Sequence, residues 1–183
     1  MKRIIVGISG ASGTAIGIRI LEALKKAGIE THLVMTGLGK KVLEDETDYT
    51  TEDTGKLASY TYSEDDFFAP IASGSFHSEG MVVAPCSMKT LAGIASGYTD
   101  NLLLRAADVM LKERRKLVLI ARETPLSYIH IKNMKTVTKA GAVVIPPVLT
   151  FYSKPNTIED MVMHVVGKAL DQFGIDTKYK RWK

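Results

Sequence analysis

The stretch Ile4-Ile5-Val6-Gly7-Ile8-Ser9-Gly10-Ala11-Ser12-Gly13-Thr14 decides the fold. Its first half is apolar and β-branched, the pattern of a strand buried on both faces of a parallel sheet. Its second half is mostly Gly and Ser, and a helical pattern starts at Thr14. Strand, tight loop and helix in that order gather backbone N–H groups and the positive end of a helix dipole around one small space. Such a space takes a phosphate, so the stretch predicts a phosphorylated ligand at the N-terminal edge of an α/β domain. The same residues also describe a tight turn with no ligand.

The glycines are Gly7, Gly10 and Gly13, whereas the dinucleotide fingerprint needs G-x-G-x-x-G. The next strand, about Glu30 to Thr36, ends Val34-Met35-Thr36-Gly37, with no acidic residue to hold an adenosine ribose. Both departures count against a nicotinamide dinucleotide and leave a mononucleotide such as FMN. No Gly-Lys-Ser/Thr closes the loop, so it is not a nucleoside-triphosphate P-loop.

Outward from this stretch, strand and helix signals alternate to the end of the chain. Helices are predicted at about Thr14 to Ala27, Gly37 to Glu46, from Ser87 onward, and at Asn101 to Arg115, Ser127 to Ala140 and Ile158 to Phe173. Strands are predicted at His32 to Met35, Met81 to Cys86, Leu117 to Ala121 and Ala142 to Ile145. Asp48 to Ser78 reads as one short helix and a loop. No repeat or linker interrupts the pattern. A βαβα order with buried-type strands predicts one α/β domain over 1–183, a three-layer doubly wound parallel sheet, with a flexible C-terminal tail from about residue 175.

The 183 residues suffice for one full core. No apolar run is long enough to span a bilayer. The chain opens on a strand pattern rather than a secretory signal. Cys86 is the only cysteine, which suits a reducing cytosol and a cytoplasmic location. The net charge of +4 is mild. Basic residues are spread along the chain except in the tail Lys178-Tyr179-Lys180-Arg181-Trp182-Lys183, which alone makes a weak case, so no nucleic-acid partner is expected. The four histidines, His32, His77, His130 and His164, are scattered, and no metal site is predicted.

Parallel sheets of this kind bind ligands at the carboxyl ends of their strands. The segments there are Ser9 to Gly13, Thr36, Pro85-Cys86-Ser87-Met88-Lys89-Thr90, Arg122-Glu123-Thr124-Pro125 and Pro146 to Tyr152. Hydroxyls and backbone donors dominate the first three, and a charged pair and a tyrosine the last two. They predict a polar cleft with hydroxyls for a ribityl phosphate chain.

Together these segments resemble the flavin prenyltransferases, the UbiX-like family once labelled 3-polyprenyl-4-hydroxybenzoate carboxy-lyases. The resemblance rests on Gly7 to Gly13, Glu46-Thr47-Asp48, Ala69 to Ser75, Ala84-Pro85-Cys86-Ser87, Asn101 to Val109, Leu111 to Arg115, Arg122-Glu123-Thr124-Pro125 and Phe151-Tyr152. It spans nearly the whole chain, in order. It implies a Rossmann-like flavoprotein fold, of the superfamily that includes flavin-dependent cysteine decarboxylases. It implies transfer of a dimethylallyl group from dimethylallyl monophosphate to N5 and C6 of reduced FMN. The product, prenylated FMN, would serve a separate UbiD-type decarboxylase in ubiquinone or aromatic-acid metabolism. The family's dodecameric assembly, with each flavin site shared between subunits, is implied as well.

Carried over residue by residue, the resemblance assigns flavin binding to Gly10, Ala11, Ser12, Thr36, Ser87, Met88, Thr90 and Arg122. Catalysis falls to Glu123 as acid/base, with Ser12, Glu46 and Tyr152. The prenyl phosphate falls to Lys112, Arg122, Tyr152 and Lys168, with Arg105 and Trp182 beside the donor. Planar Arg suits a phosphate fork, and Lys supplies a point charge. The family commonly has Arg at the position of Lys168 and Trp at that of Phe67. Lys112 or Arg105 is expected to act in a neighbour's site.

Each assignment has a plainer alternative. Glu123 beside Arg122 also describes a surface ion pair, Ser12 a helix cap, Glu46 a helix end, Tyr152 a half-buried aromatic, and Lys112 and Lys168 solvated helix residues. Cys86 reads as a small buried residue. Two other functions fit the fold: a flavin-dependent cysteine decarboxylase, which needs a histidine at the flavin, and a non-catalytic FMN carrier, which needs neither Glu123 nor the basic set.

Overall fold

The computed structural model describes residues 2–182; Met1 and Lys183, the outermost residues of the expected domain and tail, lie outside them. Six parallel strands form one sheet in the order β3-β2-β1-β4-β5-β6. They are β1 (Arg3–Ile8), β2 (Glu30–Met35), β3 (Tyr60–Tyr62), β4 (Gly80–Cys86), β5 (Lys116–Ala121) and β6 (Val143–Val144). The chain runs outward from β1 to β3, then returns to β4 on the other side of β1. The β1/β4 boundary is therefore the switch point at which a doubly wound sheet opens a crevice.

The strands alternate their side chains between two cores, as the two-residue period requires. Ile4, Val6 and Ile8, with Val82, Ala84, Val118 and Ile120, face α1 (Thr14–Lys26), α2 (Gly37–Glu46) and α7 (Ile158–Asp171). Ile5, Met81, Val83, Leu117 and Leu119 face α4 (Met88–Ser96), α5 (Leu102–Lys112) and α6 (Tyr128–Ala140). Both faces of the sheet are covered, which explains why the strands read as continuous apolar runs. Gly17 lets α1 settle onto the sheet: a Cβ there would stand 2.3 Å from the Ala84 carbonyl oxygen.

The expected elements are present, with three differences. Strand β3 falls inside the segment read as irregular. It is three residues long, its first two residues are exposed, and it pairs only with β2, so it has neither the apolar run nor the alternation that marks a strand. Helix α5 stops at Lys112, and Arg114 turns to φ 55° to lead into β5. Strand β6 is two residues long: after one more bond to β5, from the Ile145 amide to the Leu119 carbonyl, Pro146 and Pro147 stop the pairing. The short helix predicted in the irregular segment is α3 (Thr51–Gly55). The C-terminal segment lies on α7, where the Tyr179 hydroxyl donates to Asp171 at 2.6 Å.

Candidate active site

A cavity of about 480 Å³ opens at the switch point. Gly10 and Ala11 line it from the β1 loop, Thr36, Gly37 and Leu38 from the β2 end, and Ser87, Met88, Lys89 and Thr90 from the β4 end. Glu64, Asn101 and Leu104 complete the wall, and Arg122 and Glu123 stand at the end of β5. The strand-end rule thus brings together every residue assigned to flavin binding except Ser12, which follows Ala11 directly in the chain.

Ser9 fixes the two central loops to each other. Its side chain is buried; the hydroxyl donates to the Pro85 carbonyl at 2.9 Å and accepts the Ser87 amide at 2.8 Å. Its own amide donates to the same carbonyl at 3.2 Å. One buried side chain thus sets the spacing of the cavity's two walls.

Three helices begin beside the cavity, and their first turns are satisfied differently. At α1, Gly13 occupies the N-cap position at φ 102° and offers no side chain. Glu46 takes its place: one carboxylate oxygen accepts the Gly13 amide at 2.9 Å, the Thr14 amide at 3.2 Å and the Thr14 hydroxyl at 3.0 Å. Burial would raise this carboxyl, but hydrogen bonds from Ser12, Gly13 and Thr14 outweigh it and hold the group below its ordinary range. At α2, Glu64 accepts the Gly37 amide at 2.6 Å and the Thr36 hydroxyl accepts the Gly39 amide at 3.0 Å. At α4, Ser87 caps the Thr90 amide at 3.2 Å. Among the described residues, the Met88 and Lys89 amides have no protein acceptor. The sequence places the phosphate-binding donors at α1; the structure gives the first amides of α1 to Glu46 and leaves those of α4 facing the cavity. The difference arises because a glutamate 33 positions away reaches a helix end that has no cap of its own.

The donor set suits FMN. Hydroxyls of Thr36, Ser87 and Thr90 and the α4 amides match a ribityl phosphate, and Leu38, Met88 and Leu104 offer apolar walls to a flat ring system. The Arg122 amide donates to the Cys86 carbonyl at 3.1 Å, tying the end of β5 to β4. Glu123 is exposed and accepts the Thr124 amide at 3.0 Å; among the described residues it makes no ion pair with Arg122. No histidine lines this cavity.

The remaining assigned residues form two groups outside it. Arg105 and Lys112 line a second cavity of about 460 Å³ with Ala72 to Ser75 and Glu113. There Arg105 donates to the Ala72 carbonyl at 3.0 Å and pairs with Asp108 at 2.8 Å. Lys112 pairs with Glu113 and holds its carboxyl below the ordinary range. The second group lies by α7. The Tyr152 ring meets Trp182 edge to face at 5.1 Å and His164 at 5.6 Å. Lys168 is exposed one turn beyond His164.

Glu64, Leu38, Lys89, Asn101 and Leu104 line the cavity without having been assigned. Lys89 lay in the strand-end segment and Asn101 and Leu104 in the motif segments already quoted, so position alone could have nominated them. Glu64 gave no signal: it comes from the irregular segment and reaches the site through the α2 N-terminus.

The chain matches the family model described as Flavoprotein over residues 1–170. It is 53% identical over 181 residues, 98% of its length, to a probable UbiX-like flavin prenyltransferase of Bacillus subtilis, of which it covers 89%. Its fold superposes with a TM-score of 0.98 on a crystal structure of AnUbiX (PadA1) in complex with FMN and dimethylallyl pyrophosphate. That protein is 52% identical, with 100% of this chain and 97% of that one covered. A dodecameric FMN-dependent UbiX-like decarboxylase from Escherichia coli O157:H7 superposes with a TM-score of 0.97 at 49% identity, covering 99% of each chain.

Proposed function

The chain belongs to the flavoprotein family, among its UbiX-like flavin prenyltransferases, and we propose that it joins the dimethylallyl group of dimethylallyl monophosphate to N5 and C6 of reduced FMN. The allylic C–O bond breaks and inorganic phosphate leaves as N5 gives up its proton and bonds to the allylic carbon. The remaining double bond then takes a proton, and its tertiary carbon bonds to C6, which loses its hydrogen as a proton. Prenylated FMN is then released to a UbiD-type decarboxylase. The observation that carries this reading is the switch-point cavity, which gathers seven of the eight proposed flavin-binding residues with Glu123 at its edge.

Flavin supplies the nucleophilic ring atoms; the chain holds, orients and handles protons and phosphate. Gly10, Ala11, Ser12, Thr36, Ser87, Met88, Thr90 and Arg122 hold the flavin. Glu123 moves the proton that accompanies phosphate departure and ring closure; it sits at the end of β5, where nothing around it blocks exchange with solvent. Glu46 draws Ser12 and the α1 N-terminus into one hydrogen-bonded unit at the loop that follows β1. Arg122 gives a planar fork to the phosphate, and Tyr152 and Lys168 give it a hydroxyl and a point charge. Arg105 and Lys112 lie on a separate face, which supports a closed assembly, a dodecamer as in the Escherichia coli relative, in which they complete a neighbour's site. Trp182 covers the donor from the C-terminal segment. No described helix is long and apolar enough to cross a membrane; we place the enzyme in the cytoplasm.

Anaerobic incubation with reduced FMN and dimethylallyl monophosphate, followed by mass spectrometry of the released flavin, tests the proposal. A flavin heavier by one dimethylallyl unit, formed only with the monophosphate, supports it. Tightly bound but unmodified FMN would replace it with the carrier reading.

A further inference from the structure

The proposed reaction leaves His164 without a task, as it does the other histidines, but the surroundings of His164 give it one. It lies on α7 and is 7% exposed. Its Nε2 stands 3.5 Å from the Tyr152 hydroxyl. Its ring packs edge to face against both Tyr152, at 5.6 Å, and Tyr179, at 5.2 Å. Its Nδ1 is fully buried and has no hydrogen-bond partner among the described residues.

A buried polar atom without a partner is uncommon and costly. A phenyl ring of the same shape would make both aromatic contacts without that cost, so packing alone does not account for an imidazole here. The orphaned nitrogen also decides where the proton sits. An N–H buried with nothing to accept it is the worse of the two unpaired states, since orphaned donors are rarer than under-satisfied acceptors. The neutral ring therefore carries its hydrogen on Nε2. Burial first, and then the charge on Lys168, keep it neutral by disfavouring the imidazolium.

We propose that His164 is the positioning residue for Tyr152: its Nε2–H donates to the tyrosine oxygen and leaves the tyrosine O–H free to point at the phosphate of the prenyl donor. Were the proton on Nδ1, the tyrosine would spend its hydrogen on the imidazole and present only lone pairs to an anion. A donor behind the phenol oxygen also polarises the O–H and strengthens the bond it gives. Lys168, one turn away on α7, supplies charge to the same phosphate, and the Trp182 ring packs edge to face against Tyr152. Tyr179, which packs against the imidazole, is itself held by Asp171 at 2.6 Å. The proposal rests on Tyr152 binding the donor phosphate.

The test compares His164→Phe, His164→Gln and His164→Asn by steady-state kinetics with dimethylallyl monophosphate at saturating reduced FMN, each alone and with Tyr152→Phe. The phenylalanine keeps the ring and loses the donor; the glutamine amide restores a donor near Nε2, and the asparagine amide near Nδ1. His164→Phe should lower kcat/KM for the monophosphate about tenfold, the loss of one neutral hydrogen bond, and leave FMN affinity unchanged. His164→Gln should recover most of that loss and His164→Asn little. With Tyr152→Phe present, His164→Phe should cost nothing further. A His164→Phe enzyme as efficient as the parent would overturn the proposal. So would an equal loss with and without Tyr152, which would make the histidine merely structural. A parent protein that forms no prenylated flavin would overturn the proposed reaction itself, a result visible before any variant is compared.

Discussion

Replacing Glu46 tests its part in holding the start of α1. One carboxylate oxygen of Glu46 accepts three hydrogen bonds at the start of α1, where Gly13 provides no cap. Loss of an N-cap costs about 0.5–2 kcal/mol, and a carboxylate at a helix N-terminus adds about 0.3–1 kcal/mol where it is exposed. The carboxylate is only partly shielded, so Glu46→Ala should cost about 1.5 kcal/mol, toward the lower part of that sum. Glu46→Gln keeps an accepting oxygen and loses only the charge, about 0.5 kcal/mol. For a chain of this size these losses correspond to melting temperatures lower by about 3–6 °C and about 1–2 °C. Melting should be followed by circular dichroism at one fixed protein concentration, because assembly adds stability by mass action. The folded carboxyl titrates below its ordinary value of 4.5. Its stabilisation is therefore fully present above that value and is lost as the pH falls through the lower, folded one. The gap between the parent and Glu46→Gln should be widest near neutrality and close progressively in acid. A Glu46→Ala protein that melts with the parent at neutral pH would refute the capping argument, as would a gap that does not change with pH.

Glu123→Gln should bind FMN as the parent does and lose about 10²–10⁴-fold in turnover, the range of one general acid/base; rapid-quench formation of prenylated flavin measures it, and full activity would remove Glu123 from the mechanism. Gly17→Ala places a Cβ 2.3 Å from the Ala84 carbonyl oxygen and should cost about 1–3 kcal/mol in overpacking; an unchanged urea midpoint would mean that α1 does not seat on β4 as described. Burial pushes the Cys86 thiol up to about 12, so iodoacetamide should not label the native protein in mild alkali and should label it once urea unfolds the chain. Rapid labelling of the native protein, read by mass spectrometry, would show that the end of β4 opens to solvent.

The sequence carried far into the site because the site is built from strand ends. Gly10, Thr36, Ser87 and Arg122 each follow a strand that announces itself by a run of β-branched and aliphatic residues, and parallel order then places those ends side by side. Strand β3 escaped because three residues at a sheet edge, two of them exposed, bury too little to leave a pattern. Glu64 escaped with it, since its approach to the cavity depends on the irregular segment that β3 anchors.

Local periodicity by itself determined the α/β class, the helix faces and the strand-end loops that line the cavity. Those are consequences of burying one side of each segment, and burial writes itself into neighbouring residues. Tertiary structure alone decided that Glu46 caps α1, that Ser9 joins the β1 and β4 loops, and that His164 stands beside Tyr152 with one nitrogen unpaired among the described residues. Each of these depends on a polar side chain meeting a partner that its own element does not supply. Hydrogen bonds across such sequence distances leave no period in the chain, and only the closed fold determines which groups meet.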